Sequence, residues 1–449
     1  MSSAHLGRLR LAAYSAPAFA TSVVALPMAL FVPAFYADDL GVPLAAVGAA
    51  IAVSRLLDVV TDPLIGTLSD RTPARFGRRK PWMLLGLPLF LVALWRIFVP
   101  AASPSAAGLA LWSALLYLGF TLIDLPHKAW GAELSTDYDE RSRITSWREA
   151  ISTAGQVALL AVLVGLSARG IEDAASQLRG IAIAVGVGLP LLLAACLAFV
   201  PEPDVARRVT PRPDWRESLR IVVRNPAFVR MVACVLLFVS GIAIQGTLHR
   251  LVLADVMSAE GRFPVMILLE NVGTLLAVPA WLALSVRVGK HRALMAAALW
   301  IAIWSLPLVV LRGGDTLVLV AVIVVRGSSF ASILFLAHSI AADVIDVDAL
   351  ESGASRSGLF FAVWGMVIKL ALALGVLLGT SLPALIGYDP GQDTVPREIQ
   401  SGLMAIYGGI PAALMALGAL VLRGFPITRE RHADVRARLD ARARAAADG

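Results

Sequence analysis

Apolar stretches long enough to cross a bilayer, about 20 residues each, recur along the whole chain, and this recurrence limits its folds more than any other feature. Inside hydrocarbon no water meets the backbone N–H and C=O groups, so each spanning segment has to satisfy them internally, as a helix does. The chain is 58% hydrophobic and only 16% charged, with a mean hydropathy of +0.77, where a soluble domain is roughly 45–50% apolar and about 25% charged. That excess is spread over twelve predicted spans, near 12–37, 43–68, 81–100, 107–131, 145–168, 180–200, 226–251, 262–285, 291–311, 315–341, 358–386 and 399–422. The expected fold is an all-α polytopic membrane protein. The start, MSSAHLGRLRLAAYS, runs directly into the first span without a small-residue cleavage site. Cys196 and Cys234 both sit in apolar runs, as packing residues rather than a disulfide framework or a metal site.

Charge gives orientation. With the N-terminus inside, the inner connections and ends hold Arg8, Arg10, the cluster Arg71, Arg75, Arg78, Arg79 and Lys80, and most of the remaining Lys and Arg. The outer ends and loops hold only Arg169, Arg179, Arg250, Arg262, Arg312 and Arg397. Both termini are expected in the cytoplasm. The net charge of +7 and pI near 9.8 therefore reflect topology, and no nucleic-acid partner is expected.

The longest connection, Pro201 to Asn225, separates two halves: a six-helix bundle over 1–200, a cytoplasmic central loop over 201–225 and a second bundle over 226–423. A basic tail follows over 424–449, read as an amphipathic or disordered cytoplasmic end. Pro63 with Leu68-Ser69-Asp70-Arg71 recurs as Pro279 with Leu284-Ser285-Val286-Arg287. In that register Asp58 faces Thr274 and Asp62 faces Val278, so the halves share a scaffold while the acids belong to the first alone. Paired six-helix bundles around a midplane site are the major facilitator pattern.

Charges inside the spans mark the working residues. Arg55, Asp58 and Asp62 share one helix face, and each costs roughly 2.5–3.5 kcal/mol at membrane depth on insertion scales unless it has a partner, a cavity or an ion. Two carboxylates one turn apart suit a small cation or a proton; the alternative is an Arg55–Asp58 ion pair. In the fourth span Thr121, Asp124 and Lys128 share a face beside Phe120, with Pro126 loosening the backbone between them. They either line the cavity or close packing as an Asp124–Lys128 salt bridge. Lys369, near the middle of the eleventh span, has no acid within one turn, so its partner is another helix or the solute. Trp364 is either a stacking platform or a packing residue. Arg148 either snorkels to the interface or clamps a solute hydroxyl. Glu270, Asn271 and Arg326 are read as structural pairs. Two charged cytoplasmic loops, Glu133 to Arg148 and Asp343 to Arg356, are expected to form a salt-bridge network that closes the inner side and breaks on each cycle. The chain contains no Walker loop, zinc pair or serine elbow, so it is not expected to be an enzyme, and a gradient rather than a nucleotide would drive it.

These residues together resemble the glycoside–pentoside–hexuronide:cation symporter family of the major facilitator superfamily (melibiose permease and its relatives). The resemblance is strongest in Arg55–Pro81 (RxxDxxxDPxxGxxxDR…GRRKP), in Asp124–Arg148 with its Asp-Glu-Arg, and in Asp343–Lys369. It implies a cation site of Asp58, Asp62, Thr121 and Asp124, with Thr61 where melibiose permease has an asparagine. It implies solute contacts at Asp124, Arg148 and Lys369, and at the positions held here by Ser22, Phe120, Lys128 and Trp364. Asp70, Arg71, Arg78, Glu140, Arg141 and Arg356 would form the cytoplasmic network. Ser22 stands where melibiose permease has an aspartate, and Phe120 and Lys128 stand for a tyrosine and a tryptophan. That change shifts the solute side by two units toward positive, which favours an anionic glycoside such as a uronide. In the competing reading Lys128 takes the cation's place on Asp124, and transport is proton-coupled or uncoupled. The expected protein is a symporter of a sugar, glycoside or uronide with Na⁺, Li⁺ or H⁺, without other cofactors, acting as a monomer in the lipid of a bacterial inner membrane. Its rivals are a carrier or exporter of amphiphiles or lysolipids, and a non-transporting membrane sensor.

Overall fold

The computed structural model describes residues 6–445 apart from 73–76, 102–103, 168, 171–172, 203–219, 221–223, 260–261, 353–356 and 389–394. Among the described residues there is no strand. Eleven stretches are long and apolar enough to cross a membrane, and the 28-residue helix Leu44–Arg71 adds a twelfth span. Large apolar side chains stand outward on these helices, with Leu191 at 66%, Leu276 at 74% and Leu317 at 77% exposed. In water such a surface would aggregate; in a bilayer it is the lipid face. The protein is a multi-pass membrane protein.

Two compact units are formed. The first comprises Met1–Val222 together with Ile345–Met366. Its helices are α1 (Arg8–Ala34), α2 (Leu44–Arg71), α3 (Lys80–Phe98), α4 (Ala106–Glu133), α5 (Tyr138–Ser167) and α6 (Ala174–Phe199). Here α4 packs on α2 and α3, and α1 packs on α5 and α6. Two of these helices start where the sequence supplies an acceptor for their unpaired N–H groups: Ser105 caps α4 through Gly108 N at 3.1 Å, and Asp173 caps α6 through Ser176 N at 2.9 Å. At the far end of α6, Lys80 Nζ donates to the carbonyls of Leu197 and Val200, as a cation at a helix C-terminus should. Prolines inside α1 to α4 and α6 are tolerated because neighbouring helices and side chains re-satisfy the backbone.

The second unit comprises Val223–Val344 and Val367–Gly449. Its helices are α7 (Pro226–Leu251), α8 (Phe263–Val288), α9 (Lys290–Ser305), α10 (Thr316–Gly327), the segment Arg397–Met404 (α13), Ile410–Val421 (α14) and Arg429–Ala445 (α15). Two further helices, α11 (Phe330–Ser352) and α12 (Ser357–Leu385), run through both units. Gly289, at φ 90°, makes the tight turn from α8 into α9, a backbone conformation that a side chain would strain. Cys196 and Cys234 are free and buried.

The structure refines three expectations. The predicted tenth span is two helices, α10 and α11, broken at Ser328–Ser329. The charged stretches expected as loops are largely helical, since α5 starts at Tyr138 and α11 continues to Ser352. Glu133 pairs with Arg78 and Arg79, Glu140 with Arg143, Asp343 with Lys290 and Asp346 with Arg141, so the helices extend with these charges paired. The tail forms a helix whose His432, Val435 and Leu439 are buried and whose Arg438 is exposed.

Candidate functional site

The first unit gathers most of the residues singled out above. Asp62, 2% exposed, accepts a hydrogen bond from Thr121 Oγ1 at 2.9 Å. Helix packing creates this pair: Asp62 follows from α2 and Thr121 from α4, and the two helices lie side by side. Thr61 is half-buried in the same turn. The side chains of Arg55, Asp58 and Arg71, and the whole of Arg356, lie outside the described residues.

One turn further along α4, Asp124 is clamped by two cations. Lys128 Nζ stands 2.7 Å from its Oδ2 and Arg148 Nη2 2.7 Å from its Oδ1. Arg148 also meets Glu149 Oε1 at 2.6 Å. Arg148 therefore turns inward, and the four side chains carry two charges of each sign. Glu149 was not foreseen: adjacent residues on a helix point about 100° apart, so spacing gives no pairing signal, and only the length of both side chains brings them together. Its charge offsets one of the two positive units inferred from the substitutions at Ser22 and Lys128. Ser22 Oγ lies 2.8 Å from the Ser152 carbonyl and 2.9 Å from that of Phe19, fastening α1 to α5. Phe120 packs against the apolar core of this unit. Trp364 is 1% exposed in the first unit, and Lys369 is half-buried in the second.

At the end of α2 a second polar cluster forms. Arg79, fully buried, reaches Ser69 Oγ, Asp70 Oδ1, Glu133 Oε1 and Ser357 Oγ at 2.7–2.8 Å. Burial opposes its charge, but Glu133 and Asp70 outweigh that and hold the guanidinium above its ordinary pKa. Arg78 pairs with Glu133 too, while its backbone N–H and that of Arg79 donate to Glu202 at 2.5 Å. Asp70 also accepts from the N–H groups of Gly358 (2.9 Å) and Leu359 (3.1 Å), an anion on the N-terminus of α12. The approach needs glycines: a Cβ on Gly66 would stand 2.6 Å from the Gly358 carbonyl oxygen. Arg141 joins Asp346 at 2.5 Å, and Glu140 joins Arg143 at 2.9 Å and the N–H of Leu6 at 3.0 Å. Glu133, central here, was legible only as a member of a charged stretch, and Ser357, just past the end of the other, was not legible at all.

A helical membrane protein whose charged side chains meet in paired clusters within its spans is built as a transporter. A sequence model of the family described as MFS/sugar transport protein matches residues 13–429, and the chain belongs to that family. It is 27% identical to a symporter of Synechocystis, covering 96% of each chain. It is 23% identical to a glucuronide carrier protein homolog of Escherichia coli (92% and 91% covered) and 24% to human sodium-dependent lysophosphatidylcholine symporter 1 (84% and 76%). The E. coli fucose:proton symporter has the same fold, with a TM-score of 0.65 at 14% identity over 94% of this chain and 98% of that one.

Proposed function

We propose that the chain is a cation-coupled symporter of a sugar, glycoside or uronide, working by alternating access in a bacterial cytoplasmic membrane as a monomer, with both termini cytoplasmic. The observation that carries this reading is the sequence of polar contacts along one face of α4. Thr121 holds Asp62, and Asp124, one turn on, sits in a cluster with Lys128, Arg148 and Glu149. Asp62, Thr121 and Thr61, with Asp58, are assigned to the monovalent cation, Na⁺, Li⁺ or H⁺. Asp124, Lys128, Arg148 and Lys369 are assigned to the solute, with Ser22, Phe120 and Trp364 as walls. Charged and fork-shaped donors beside a carboxylate suit the hydroxyls and carboxylate of a sugar acid. Cation binding at Asp62 tightens the α2–α4 contact and with it the solute cluster, and by linkage each ligand strengthens the other. The Asp70–Arg79–Glu133 cluster, with Arg78, and the Glu140–Arg141–Asp346 contacts are assigned to the gate, together with Arg71 and Arg356.

The reading is tested with proteoliposomes and a set of glycosides and uronides. Asp58→Asn and Asp62→Asn are each expected to abolish Na⁺-gradient-driven accumulation while the protein stays folded. Normal accumulation by both variants would sink the cation assignment. Thermal stabilisation by lysolipids and by no sugar would favour the lipid-carrier alternative, given the kinship with lysophosphatidylcholine symporters.

A further inference from the structure

The second unit contains a buried polar cluster that the transport reading does not use. Arg326, at the end of α10, places Nη2 2.9 Å from Glu270 Oε1 of α8. Glu270 Oε2 lies 3.7 Å from His249 Nε2 of α7, and His249 Nδ1 meets the Tyr407 hydroxyl at 2.5 Å. Gln245, one turn before His249, is in the wall beside Tyr407. Exposure of these five side chains is between 0% and 5%. Glu270 lies seven residues into α8 and Arg326 ten into α10. At the rise of a helix that places both roughly 10–15 Å below one end of the unit.

Three of the four contributing segments are irregular beside the cluster. A π segment, Val252–Val256, begins three residues after His249; another, Ala405–Gly409, contains Tyr407; and α10 stops at Gly327, next to Arg326. π turns inside helices gather at functional sites, and irregular backbone at membrane depth is tolerated where it is buried in protein or lines a water-filled cavity. Two atoms here, Arg326 Nε and Nη1, lack a hydrogen-bond partner among the described residues. Buried orphans of this kind are costly, so a cluster kept only for stability would be better replaced by apolar side chains.

Size decides the ligand. A Cβ added at Gly327 would stand 2.5 Å from Glu270 Cγ, so the backbone of α10 already presses on the carboxylate. A sugar has no room, and a metal ion would face the fixed charge of Arg326. We propose that His249 and Glu270 form a proton-binding site inside the second unit, with Arg326 as fixed counter-charge and Tyr407 and Gln245 as the hydrogen-bonding wall. The charged groups that act on it are within the cluster: Arg326 on His249 and on Glu270, and Arg326 with Glu270 on Tyr407. A proton that enters gives His249 an N–H at both nitrogens, one toward the Tyr407 oxygen and one across the 3.7 Å gap to Glu270. The local charge rises by one and nothing else is exchanged. The chain thereby carries a proton site separate from the acids of its first unit.

The test needs no solute, so its failure is distinguishable from failure of the transport reading. The full-length protein in nanodiscs is labelled with ¹⁵N-histidine, which reports on six residues. His249→Gln identifies the His249 signals; if that variant does not fold, Tyr407→Phe identifies them by displacing them. His249 is expected to change between singly and doubly protonated forms within the pH range over which the protein stays folded. Glu270→Gln, which keeps an oxygen for Arg326, is expected to displace that change by about one to three pH units. A His249 that stays in one form throughout, or a transition unmoved by Glu270→Gln, overturns the proposal and leaves a structural ion pair.

Discussion

Replacing Lys128 with methionine is the most informative perturbation of the first unit. Lys128 Nζ occupies Asp124 Oδ2 at 2.7 Å while Arg148 holds Oδ1 at the same distance. Side-chain exposure is 19% for the lysine and 14% for the aspartate, so solvent screens the pair only in part. Removing one partner of a buried pair costs about 3–5 kcal/mol. Arg148 remains, so about 2–3 kcal/mol is the part left on the vacated oxygen. The cluster, balanced by Glu149 in the native chain, then carries one net negative charge. A monovalent cation that settles on Oδ2 recovers this energy, which corresponds to a gain of about 30- to 150-fold in its apparent affinity. The assay is thermal unfolding titrated with NaCl against choline chloride at constant ionic strength. Lys128→Met is expected to be stabilised by Na⁺ at concentrations about 30-fold or more below those acting on the native protein. Equal Na⁺ responses in both proteins would refute the reasoning that Lys128 is what keeps a cation off this oxygen of Asp124.

Three other outcomes are expected. Thr121→Val removes a hydrogen bond to a charged acceptor, worth about 1.5–3 kcal/mol, and should weaken cation-stimulated solute binding by roughly tenfold or more; isothermal titration with and without Na⁺ reads it. Arg79→Ala strands Asp70 and Glu133, and should lower the stability of the purified protein by about 3 kcal/mol, since Asp70 keeps its contacts with Gly358 and Leu359. Arg79→Lys should rescue little, because an ammonium cannot reach Ser69, Asp70, Glu133 and Ser357 together; chemical unfolding of the three proteins side by side decides. Gly66→Ala drives a methyl into the Gly358 carbonyl and Ala362, an overpacking cost of about 1–3 kcal/mol, visible as a lower melting temperature, whereas Gly48→Ala, with open space around it, should leave it unchanged.

The sequence by itself determined that the chain crosses a membrane as helices, because apolar length and the cost of an unpaired backbone leave no other solution. It also marked Asp62, Thr121, Asp124 and Lys128, since a charge or a hydroxyl on an apolar face is conspicuous in one dimension. Helical spacing made the Asp124–Lys128 contact legible, because an i,i+4 pair is local. Tertiary structure alone decided the rest. Glu149 joined Arg148, Glu133 became the centre of the Arg79 cluster, and Asp70 found the N-terminus of a helix 288 residues away. Glu270 and Arg326 were readable as charges in apolar runs that need partners, yet their pairing with each other and the convergence of His249 and Tyr407 on them, beside two π turns and a helix break, were not. Such contacts depend on which helix faces which, and on backbone irregularities that free a single side chain. Periodicity records which face of a helix is polar, and says nothing of the partner brought against it.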